Sequence, residues 1–408
     1  MKKGTLSVLT LLCAALVCAA QPKQLPAWQE GWLDIHNIAT GKGDATFLIL
    51  PDGTTMLVDA GDMTGIAGWE VSHPLPYDGR TPGQWIAKYI LDHSQGLPHP
   101  DKVDYFLLTH FHADHFGHAS ARRPGSNYGL CGIMDVGEQI RFGKIVDRGW
   151  PSYDFPSWEH MLKQGQGIME DYVKYVRWQV AHNGTRAERF QVGSSRQFVL
   201  KHKAKDYRES FCIKNIAANC TLAEGRGKKV RNLYTPEENP AEFDENMFST
   251  VFRLDYGPFS YYNGGDLPGN NYPTKATFNR DYESPVADIL GHVTVMKADH
   301  HGTRDSSNPY FLWKTSPDVI VVQASETKHP WKDTFDRYLD PQHKGKGMVF
   351  VTSDAGRKLM GEERWAKLPP AGHVVIRVYE DGQKYQVFVL DAGSGDYRVL
   401  YSSRMFTP

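Results

Sequence analysis

The sequence predicts an α/β protein in which two β-sheets pack face to face and helices cover both outer surfaces. Two observations lead to this prediction. The first half of the chain contains a strand, a turn and a second strand that ends in an acid, over 44–59. The second half repeats this layout over 249–266. The composition agrees, because 408 residues of which 40% are hydrophobic can form a large buried core.

The first twenty residues have the pattern of a secretory signal. Two lysines near the start precede an apolar run over 6–17, and the small residues at 18–20 suit cleavage before Gln21. A membrane anchor and a lipoprotein are the alternatives, but the apolar run is short for a span and no stop-transfer charges follow it. We therefore expect residues 21–408 to be exported, to the periplasm or the medium, without stable membrane insertion.

The elements of the first half follow from hydrophobic periodicity. Alternating or continuous apolar residues predict strands at 32–38, 44–50, 55–61 and 103–108. Pro51-Asp52-Gly53 has the chemistry of a turn. Thr81 followed by Pro82 predicts the start of a helix that ends near His93. The strand at 103–108 leads directly into a cluster of histidines.

The second half is predicted to consist largely of strands, at 249–254, 259–262, 292–298, 318–324, 347–352, 373–379 and 385–391. Between the halves, residues 119–244 form a stretch that is too long for a plain loop. It contains a predicted helix around 157–180 and irregular connections. We interpret it as an insertion that forms one wall of the active site.

Three cysteines, Cys131, Cys212 and Cys220, follow the predicted signal. In an oxidising compartment Cys212 and Cys220 can form a disulfide across a short loop, which leaves Cys131 free. The alternative is three unpaired, partly buried thiols. None of them has C-x-x-C spacing, which argues against a cysteine-based metal or redox site.

The segment from Thr109 to His115 carries the most chemical information. Where a strand continues as extended chain, residues two apart project to the same side, so His110 and His112 can bind one ion together. A tight turn after them lets Asp114 and His115 face a second ion. Imidazole suits zinc, and a carboxylate adds a hard ligand. Two ions roughly 3.5–4 Å apart can stabilise both the attacking and the leaving oxygen of a hydrolysis.

Further motifs occur on either side of this one. They are G-K-G-D at 41–44, P-D-G at 51–53 with D-A-G at 59–61, N-G-G-D at 263–266, H-H-G-T at 300–303 with Ser306 and Ser307, H-P at 329–330, and T-S-D-A-G at 352–356. In type and order these motifs resemble the metallo-β-lactamase superfamily. Within it, the chain is most similar to the hydrolase domain of ComEC-type competence DNA-uptake channels. The resemblance implies a four-layer αββα sandwich with the long insertion between its two halves.

The resemblance also implies two divalent metal ions, most simply zinc, with manganese or iron as alternatives. The implied ligands are His110, His112, Asp114, His115, Asp266 and His300. Of these, His110 and His112 would bind one ion, and Asp266 would bridge it to the second. His300 is preferred to His301 as a ligand because it comes first after the predicted strand. His301 would then contact the substrate or support a ligand.

Catalytic roles are assigned to Asp114, His301 and His329. His329 is a candidate proton donor to the leaving group, or an ordinary structural histidine. Asp44 and Asp59 are expected to orient the ligating histidines, with turn formation as the alternative.

The chain departs from the wider superfamily in one ligand. That superfamily supplies a further histidine to the first ion, between the histidine motif and the bridging Asp. The interval here contains His118, His160, His182 and His202, and none has a clear strand-end context. Glu245-Asn246, just before a predicted strand, is the other source of polar groups for that position.

The leading hypothesis is an exported dinuclear metal-dependent hydrolase, a phosphodiesterase or nuclease that uses a metal-bound hydroxide. A formal net charge of -1 gives no global attraction for nucleic acid. Residues 196–231 do carry ten lysines and arginines against three acids, which is either a phosphate-binding patch or a solvated face. Aromatic residues over 150–158 are either core or a surface on which a base can stack.

Two alternatives remain from the sequence. A hydrolase of a small ester, amide or thioester, such as a lactonase or β-lactamase, is favoured if the pocket is narrow and the basic stretch points away from the metals. A non-catalytic surface binding protein is the other, although the intact ligand set argues against it. Relatives with di-iron sites that reduce oxygen share this fold, but the chain shows no flavin-binding domain.

Overall fold

The computed structural model describes residues 23–66, 70–118, 121–122, 125–165, 167–225, 229–269, 280–342, 345 and 347–408. The predicted signal at 1–20 lies outside this range. Among the helices of the described ranges, none combines the length and the apolar character that a membrane crossing requires.

The strands of the described chain are β1 (Leu33–Asn37), β2 (Thr46–Ile49), β3 (Thr55–Val58), β4 (Lys102–Leu107), β5 (Ala121–Arg122), β6 (Gly129–Leu130), β7 (Arg141–Asp147), β8 (Arg186–Arg189), β9 (Phe211–Ala218), β10 (Thr221–Ala223), β11 (Val230–Asn232), β12 (Val251–Tyr256), β13 (Phe259–Asn263), β14 (Val295–Lys297), β15 (Val319–Val322), β16 (Met348–Val351), β17 (His373–Val378), β18 (Tyr385–Leu390) and β19 (Val399–Ser402).

The α-helices are α1 (Pro82–His93), α2 (Ala113–Phe116), α3 (Gly132–Val136), α4 (Trp158–Gln164), α5 (Met169–His182), α6 (Glu283–Leu290), α7 (Pro309–Thr315), α8 (Lys332–Tyr338), α9 (Arg357–Met360) and α10 (Glu362–Trp365). Short 3-10 turns lie at Pro240–Glu242, Glu245–Phe248, Asp299–Gly302 and Glu380–Gly382.

Most strands belong to two large sheets. The first has the order β19-β18-β17-β1-β2-β3-β4-β7-β8, and the second has the order β11-β10-β9-β12-β13-β14-β15-β16. Strands β3, β4, β7 and β8 run parallel, as do β13, β14, β15 and β16. The carboxyl ends of parallel strands share one edge of a sheet, which is where ligands bind in open α/β folds.

Three hydrophobic clusters define the layers. One cluster joins side chains of both sheets, for example Leu107 of the first and Val295 of the second. A second cluster packs α1 and α5 on the outer face of the first sheet. A third packs α6, α7 and α8 on the outer face of the second sheet. The arrangement is therefore the four-layer αββα sandwich of the metallo-β-lactamase fold.

Strand β4 shows how the sequence produces these layers. Side chains alternate across a strand, so Tyr105 and Leu107 enter the cluster between the sheets, whereas Phe106 enters the cluster under the helices. All three are fully buried. The continuous apolar run of β4 thus reflects a strand that is covered on both faces.

Helix α1 begins as the sequence predicts. The Thr81 hydroxyl accepts a hydrogen bond from the Gln84 backbone N–H, and the Gln84 side chain accepts one from the Thr81 N–H. This capping box satisfies two of the backbone donors that are otherwise free at a helix start.

Residues 119–244, which the sequence analysis interprets as an insertion beside the site, also supply strands to both sheets. Strands β7 and β8 extend the first sheet, and β9, β10 and β11 extend the second. The single helix predicted around 157–180 is two helices, α4 and α5. Gly165 and Gly167 lie between them, and Gly167 has a φ of 88°, which a continuing helix does not allow.

Within the described ranges the three cysteines, Cys131, Cys212 and Cys220, are free thiols. Cys212 lies near the start of β9, and Cys220 follows the end of that strand. At roughly 3.3 Å per residue, extended chain keeps the two far beyond the Cα separation of about 6 Å that a disulfide needs. Of the two alternatives from the sequence, the structure has the unpaired thiols.

Candidate metal centre

The histidine motif lies in the loop between β4 and α2. Strand β4 ends at Leu107, and His112 occupies the position before the first residue of α2. The Thr109 carbonyl oxygen accepts a hydrogen bond of 3.0 Å from the Thr250 N–H, which joins this loop to the start of the second half. Side chains from both sheets therefore meet at one edge of the sandwich.

Two glycines of the motifs allow the loop to pack closely. A Cβ atom at Gly61 would collide with the carbonyl oxygen of Asp114, and one at Gly43 would lie 2.5 Å from the same oxygen. That oxygen accepts the Asp44 N–H at 2.7 Å. The glycines at 43 and 61 are thus required for the backbone around Asp114 to reach its position.

His110 and His112 form the first pair of candidate ligands. The Nε2 atom of His110 lies 3.1 Å from the Nδ1 atom of His112, as the two-residue spacing predicts. Burial lowers the pKa of His110 well below its usual value, so its ring is neutral. A neutral imidazole is the form that binds metal.

Asp44, His115, Asp266 and His301 form the second group, each offering one atom within 4.8 Å of the others. The Nε2 atom of His301 lies 3.1 Å from Asp266 Oδ2 and 2.9 Å from Asp114 Oδ2. The Nε2 atom of His115 lies 3.2 Å from Asp266 Oδ1. Two imidazoles facing two carboxylates in a buried space fit a divalent cation such as zinc, manganese or iron.

The electrostatics of this group also fit a cation. Burial would lower the pKa of His115, but Asp266 and Asp114 raise it well above its usual value. Burial would raise the pKa of Asp266, but His115 and His301 hold it well below its usual range. The carboxylates therefore stay ionised in the interior, where a bound cation would replace the protons of the histidines.

Three charged residues contact the candidate ligands and orient them. Asp59 lies 2.8 Å from Nδ1 of His115, which leaves the Nε2 atom of that ring facing the cluster. Asp44 Oδ1 lies 3.1 Å from Nδ1 of His301. The Nζ atom of Lys297 lies 2.8 Å from Asp44 Oδ2 and donates to Asp266 Oδ1 at 3.2 Å. These contacts match the pairing of ligating histidines with carboxylates in metal sites.

His300 and His301 diverge, although they are neighbours. Both have left-handed backbone conformations, with φ of 45° and 54°. His301 is buried in the cluster, whereas the side chain of His300 is 24% exposed and its Nε2 atom lies 3.9 Å from Asp266 Oδ2. The Nδ1 atom of His300 lies 3.0 Å from Asp305 Oδ1. The structure thus places His301 among the carboxylates, where the sequence favoured His300.

His329 lies beside the cluster rather than in it. Its ring stacks on that of His301, with centroids 4.5 Å apart and planes at 21°. Burial lowers the pKa of His329 well below its usual value, so the ring is neutral. His329 and Asp114 both line the pocket over the cluster.

The histidines of the interval before Asp266 lie elsewhere. His160 is 3.4 Å from Glu245 Oε2. His182 stacks on Trp178 at the end of α5, and His202 is 3.9 Å from Asp104, near the start of β4. Neither these three nor His118 belong to the described lining of the pocket.

Glu245 is committed to a buried ion pair. Its carboxylate accepts hydrogen bonds from Arg148 at 2.7 and 2.6 Å, and from the Phe111 backbone N–H at 2.9 Å. Burial would raise the pKa of Glu245, but Arg148 lowers it to about 2. Its neighbour Asn246 instead lines the pocket.

The pocket itself has a volume of about 300 Å³. Besides the ligand groups it is lined by Met63, Ile66, Ala113, Gln164, Asp244, Glu326 and Lys328. Lys328 is 3.0 Å from Glu326. A volume of this size is at the lower limit for small-molecule sites.

Two lysines of the basic stretch, Lys201 and Lys203, lie at the other end of the first sheet. Lys201 donates its backbone N–H to Thr54 at 2.7 Å, just before β3 begins. Asp59, which supports the centre, follows the end of β3. The two points are about 17 Å apart at 3.3 Å per residue. Lys203 pairs with Glu30, and Lys229 pairs with Glu224.

Comparison with known proteins gives distant similarities. No family model matches the chain. Recombination protein 2 of Haemophilus influenzae is 27% identical over 113 residues, which are 28% of this chain and 13% of that protein. The chain therefore spans only a small part of that relative.

Among solved structures, the diiron β-hydroxylase CmlA of Streptomyces venezuelae aligns with a TM-score of 0.37 and 13% identity, over 79% of this chain and 53% of that one. Zn²⁺-bound PqqB of Methylobacterium extorquens aligns with a TM-score of 0.38 and 10% identity, over 78% and 97%. The short form of human tRNase Z aligns with a TM-score of 0.32 and 10% identity, over 70% and 91%.

The motifs occur in the order of one superfamily, and the sandwich has its four layers. The loop ends of its two sheets bring residues of the histidine motif, of N-G-G-D, of H-H-G-T and of H-P to a common pocket. The fold and these residues agree with the resemblance to the metallo-β-lactamase superfamily on which the sequence analysis rests.

Proposed function

We propose that the protein is a dinuclear metal-dependent phosphodiesterase that acts on small phosphodiesters or on the end of a strand. One observation carries this proposal. His112, Asp266 and His301 line one pocket, with His110 3.1 Å behind His112 and His115 beside Asp266. This is the arrangement that a two-ion hydrolysis needs.

Within this proposal His301, rather than His300, is a ligand of the second ion. Its Nε2 atom is within 3.1 Å of Asp114 and Asp266, while His300 is turned toward Asp305. We expect His301→Ala to lose an ion and His300→Ala to keep it, as measured by metal content per chain. The reverse result would restore His300 as the ligand.

Bound divalent cations would supply Lewis-acid chemistry, through which water becomes a nucleophile at neutral pH. The residues handle the proton and the substrate. Asp114 borders the pocket and can accept the proton of the attacking water. His329 lines the pocket with a neutral ring, whose N–H could donate a hydrogen bond to the leaving oxygen as the phosphorus–oxygen bond breaks.

The charge of the pocket supports an anionic substrate only when cations are bound. Asp114, Asp244, Asp266 and Glu326 line it, against Lys328. An uncompensated cluster of this kind repels a phosphate. The similarity to a recombination protein favours a phosphodiester, and the pocket volume favours a small one.

A second candidate is a hydrolase of a small ester, amide or thioester. The remote position of the basic stretch favours it, because Lys201 and Lys203 lie at the opposite end of β3 from the centre. A long polyanion that binds at the pocket would not reach them without crossing the sheet.

The test is hydrolysis by the purified protein loaded with zinc or manganese. The substrates are bis-p-nitrophenyl phosphate, a dinucleotide and long single-stranded DNA, with nitrocefin and a lactone in parallel. His112→Ala is the inactive control, since it removes a ligand without touching the core. Turnover of the first two substrates that is lost in the control supports the proposal. Turnover of nitrocefin or the lactone alone would replace it with the second candidate.

A further inference from the structure

The first ion of the proposed centre has only two histidine ligands from the motif. His110 and His112 offer Nε2 and Nδ1, 3.1 Å apart. Three histidines of the interval are engaged elsewhere: His160 lies 3.4 Å from Glu245 Oε2, His182 stacks on Trp178, and His202 lies 3.9 Å from Asp104. Glu245 is engaged as well, because its carboxylate is committed to Arg148 and to the Phe111 N–H.

Asn246 is one of three polar residues, with Asp244 and Gln164, that line the pocket near His112. It is 4% exposed and lies in the 3-10 turn Glu245–Phe248. The bond between Glu245 and the Phe111 N–H holds this turn against the segment between His110 and His112. Asp244 accepts the Asn246 backbone N–H at 3.0 Å, which fixes the start of the turn.

The side-chain amide of Asn246 is half satisfied. Its Nδ2 atom lies 3.3 Å from Nε2 of His300. Its Oδ1 atom is buried and has no hydrogen-bond partner among the described residues. A buried carbonyl oxygen without a partner costs about 1–3 kcal/mol, and a cation is a partner that would remove this cost.

The neighbours of the amide fix its position. Nδ2 of Asn246 faces Nε2 of His300 at 3.3 Å, and Nδ1 of the same ring lies 3.0 Å from Asp305 Oδ1.

From this arrangement we infer that Asn246 Oδ1 is the third protein ligand of the first ion, in place of a histidine. The inference rests on the proposed dinuclear centre. Two imidazoles, an amide oxygen and the shared carboxylate of Asp266 form a harder ligand set than three imidazoles. Oxygen ligands suit manganese better than nitrogen ligands do. The first position should therefore prefer zinc over manganese less strongly than a site with three imidazoles does.

The experiment measures ions per chain rather than turnover. The full chain is stripped with chelator, titrated with Mn²⁺, and assayed by elemental analysis and by electron paramagnetic resonance. The wild type should bind two ions and give the signal of a coupled pair. Asn246→Ala should bind one ion in the tight range, with the other weakened at least about a hundredfold, and give an uncoupled signal.

Three further variants keep the test decisive. Asn246→Asp retains an oxygen ligand and should bind two ions. Asn246→His should bind two and shift the preference toward Zn²⁺. Asn232→Ala changes an exposed asparagine of β11, outside the pocket lining, and should match the wild type. Circular dichroism of each variant separates loss of an ion from loss of fold.

Two ions of unchanged affinity in Asn246→Ala would overturn the role of Asn246 and leave the proposed function intact. Two ions in the wild type without phosphodiester turnover would overturn the proposed function but would not affect the role of Asn246 as a ligand. A wild type that binds a single ion would overturn both.

Discussion

Two buried charge networks flank the histidine motif, and they differ in how their charges are matched. In the network around Asp266, four carboxylates surround two histidines and one lysine. In the network around Arg148, one arginine and one glutamate form two short hydrogen bonds, and Phe111 and Asn219 provide further partners. The first network has more carboxylates than cationic groups and so has room for an added cation, while the charges of the second are matched. The comparison suggests a metal-binding role for the first network and a structural role for the second.

The largest expected effect is in the first network. Asp266→Asn removes the carboxylate shared by His115 and His301, so we expect loss of bound metal and a fall in kcat of at least about a hundredfold. The fold should persist, since Lys297 keeps Asp44 as a partner. Metal analysis and circular dichroism check this. Full metal content in the variant would show that Asp266 does not bridge.

A substitution in the second network should lower the free energy of unfolding. Arg148→Met leaves the Glu245 carboxylate buried without its partner, which costs about 3–5 kcal/mol of the free energy of unfolding. Urea denaturation measures the loss. The double variant with Glu245→Gln is the control and should recover part of it, because neither charge is then stranded. Equal stability of wild type and Arg148→Met would remove the structural role of this pair.

Lowering the pH should remove the stability that the second network contributes. Arg148 lowers the pKa of Glu245 from 4.5 to about 2. A depressed carboxyl pKa contributes stability above the unfolded value, so the contribution is present above about pH 4.5 and is lost as the pH falls toward 2. At about 1.4 kcal/mol per pH unit the loss is about 3 kcal/mol. Unfolding free energies measured on metal-free protein from pH 6 to 2 should show it, and Glu245→Gln should flatten this part of the curve.

The smallest effect is expected at the far end of β3. Replacing Lys201 and Lys203 by alanine should change kcat/KM for a dinucleotide less than about twofold, because surface charges at this distance are screened. The same pair of changes would lower binding of long DNA only if the strand reached that surface. Steady-state kinetics at two salt concentrations distinguish these cases.

Much of the centre follows from the sequence because each motif lies at the end of a strand. The apolar runs before Thr109 and Asn263 place strands β4 and β13, and the ligands follow where those strands end. Periodicity does not predict β8, since Arg186–Arg189 is a polar edge strand. It also does not predict that Glu245 pairs with Arg148, because the two are far apart in the chain and belong to no motif.

The choice between His300 and His301 could not be made from residue types. Two adjacent histidines have the same chemistry, and their directions depend on two consecutive left-handed residues. Such conformations are rare for residues other than glycine. Here Gln323, whose carbonyl oxygen is 2.9 Å from Nδ1 of His301, holds that ring in the cluster. This contact comes from the residue that follows β15, which belongs to none of the sequence motifs.

The second group of candidate ligands constrains the stage of folding at which it can bind a cation. Asp44 and His115 come from the first half, and Asp266 and His301 come from the second. No partial chain that lacks residue 301 can assemble this group. Uptake of a cation by the complete group would therefore report that both sheets have docked. A cation that binds only the docked form, at a thousandfold excess over its Kd, then stabilises it by about 4 kcal/mol.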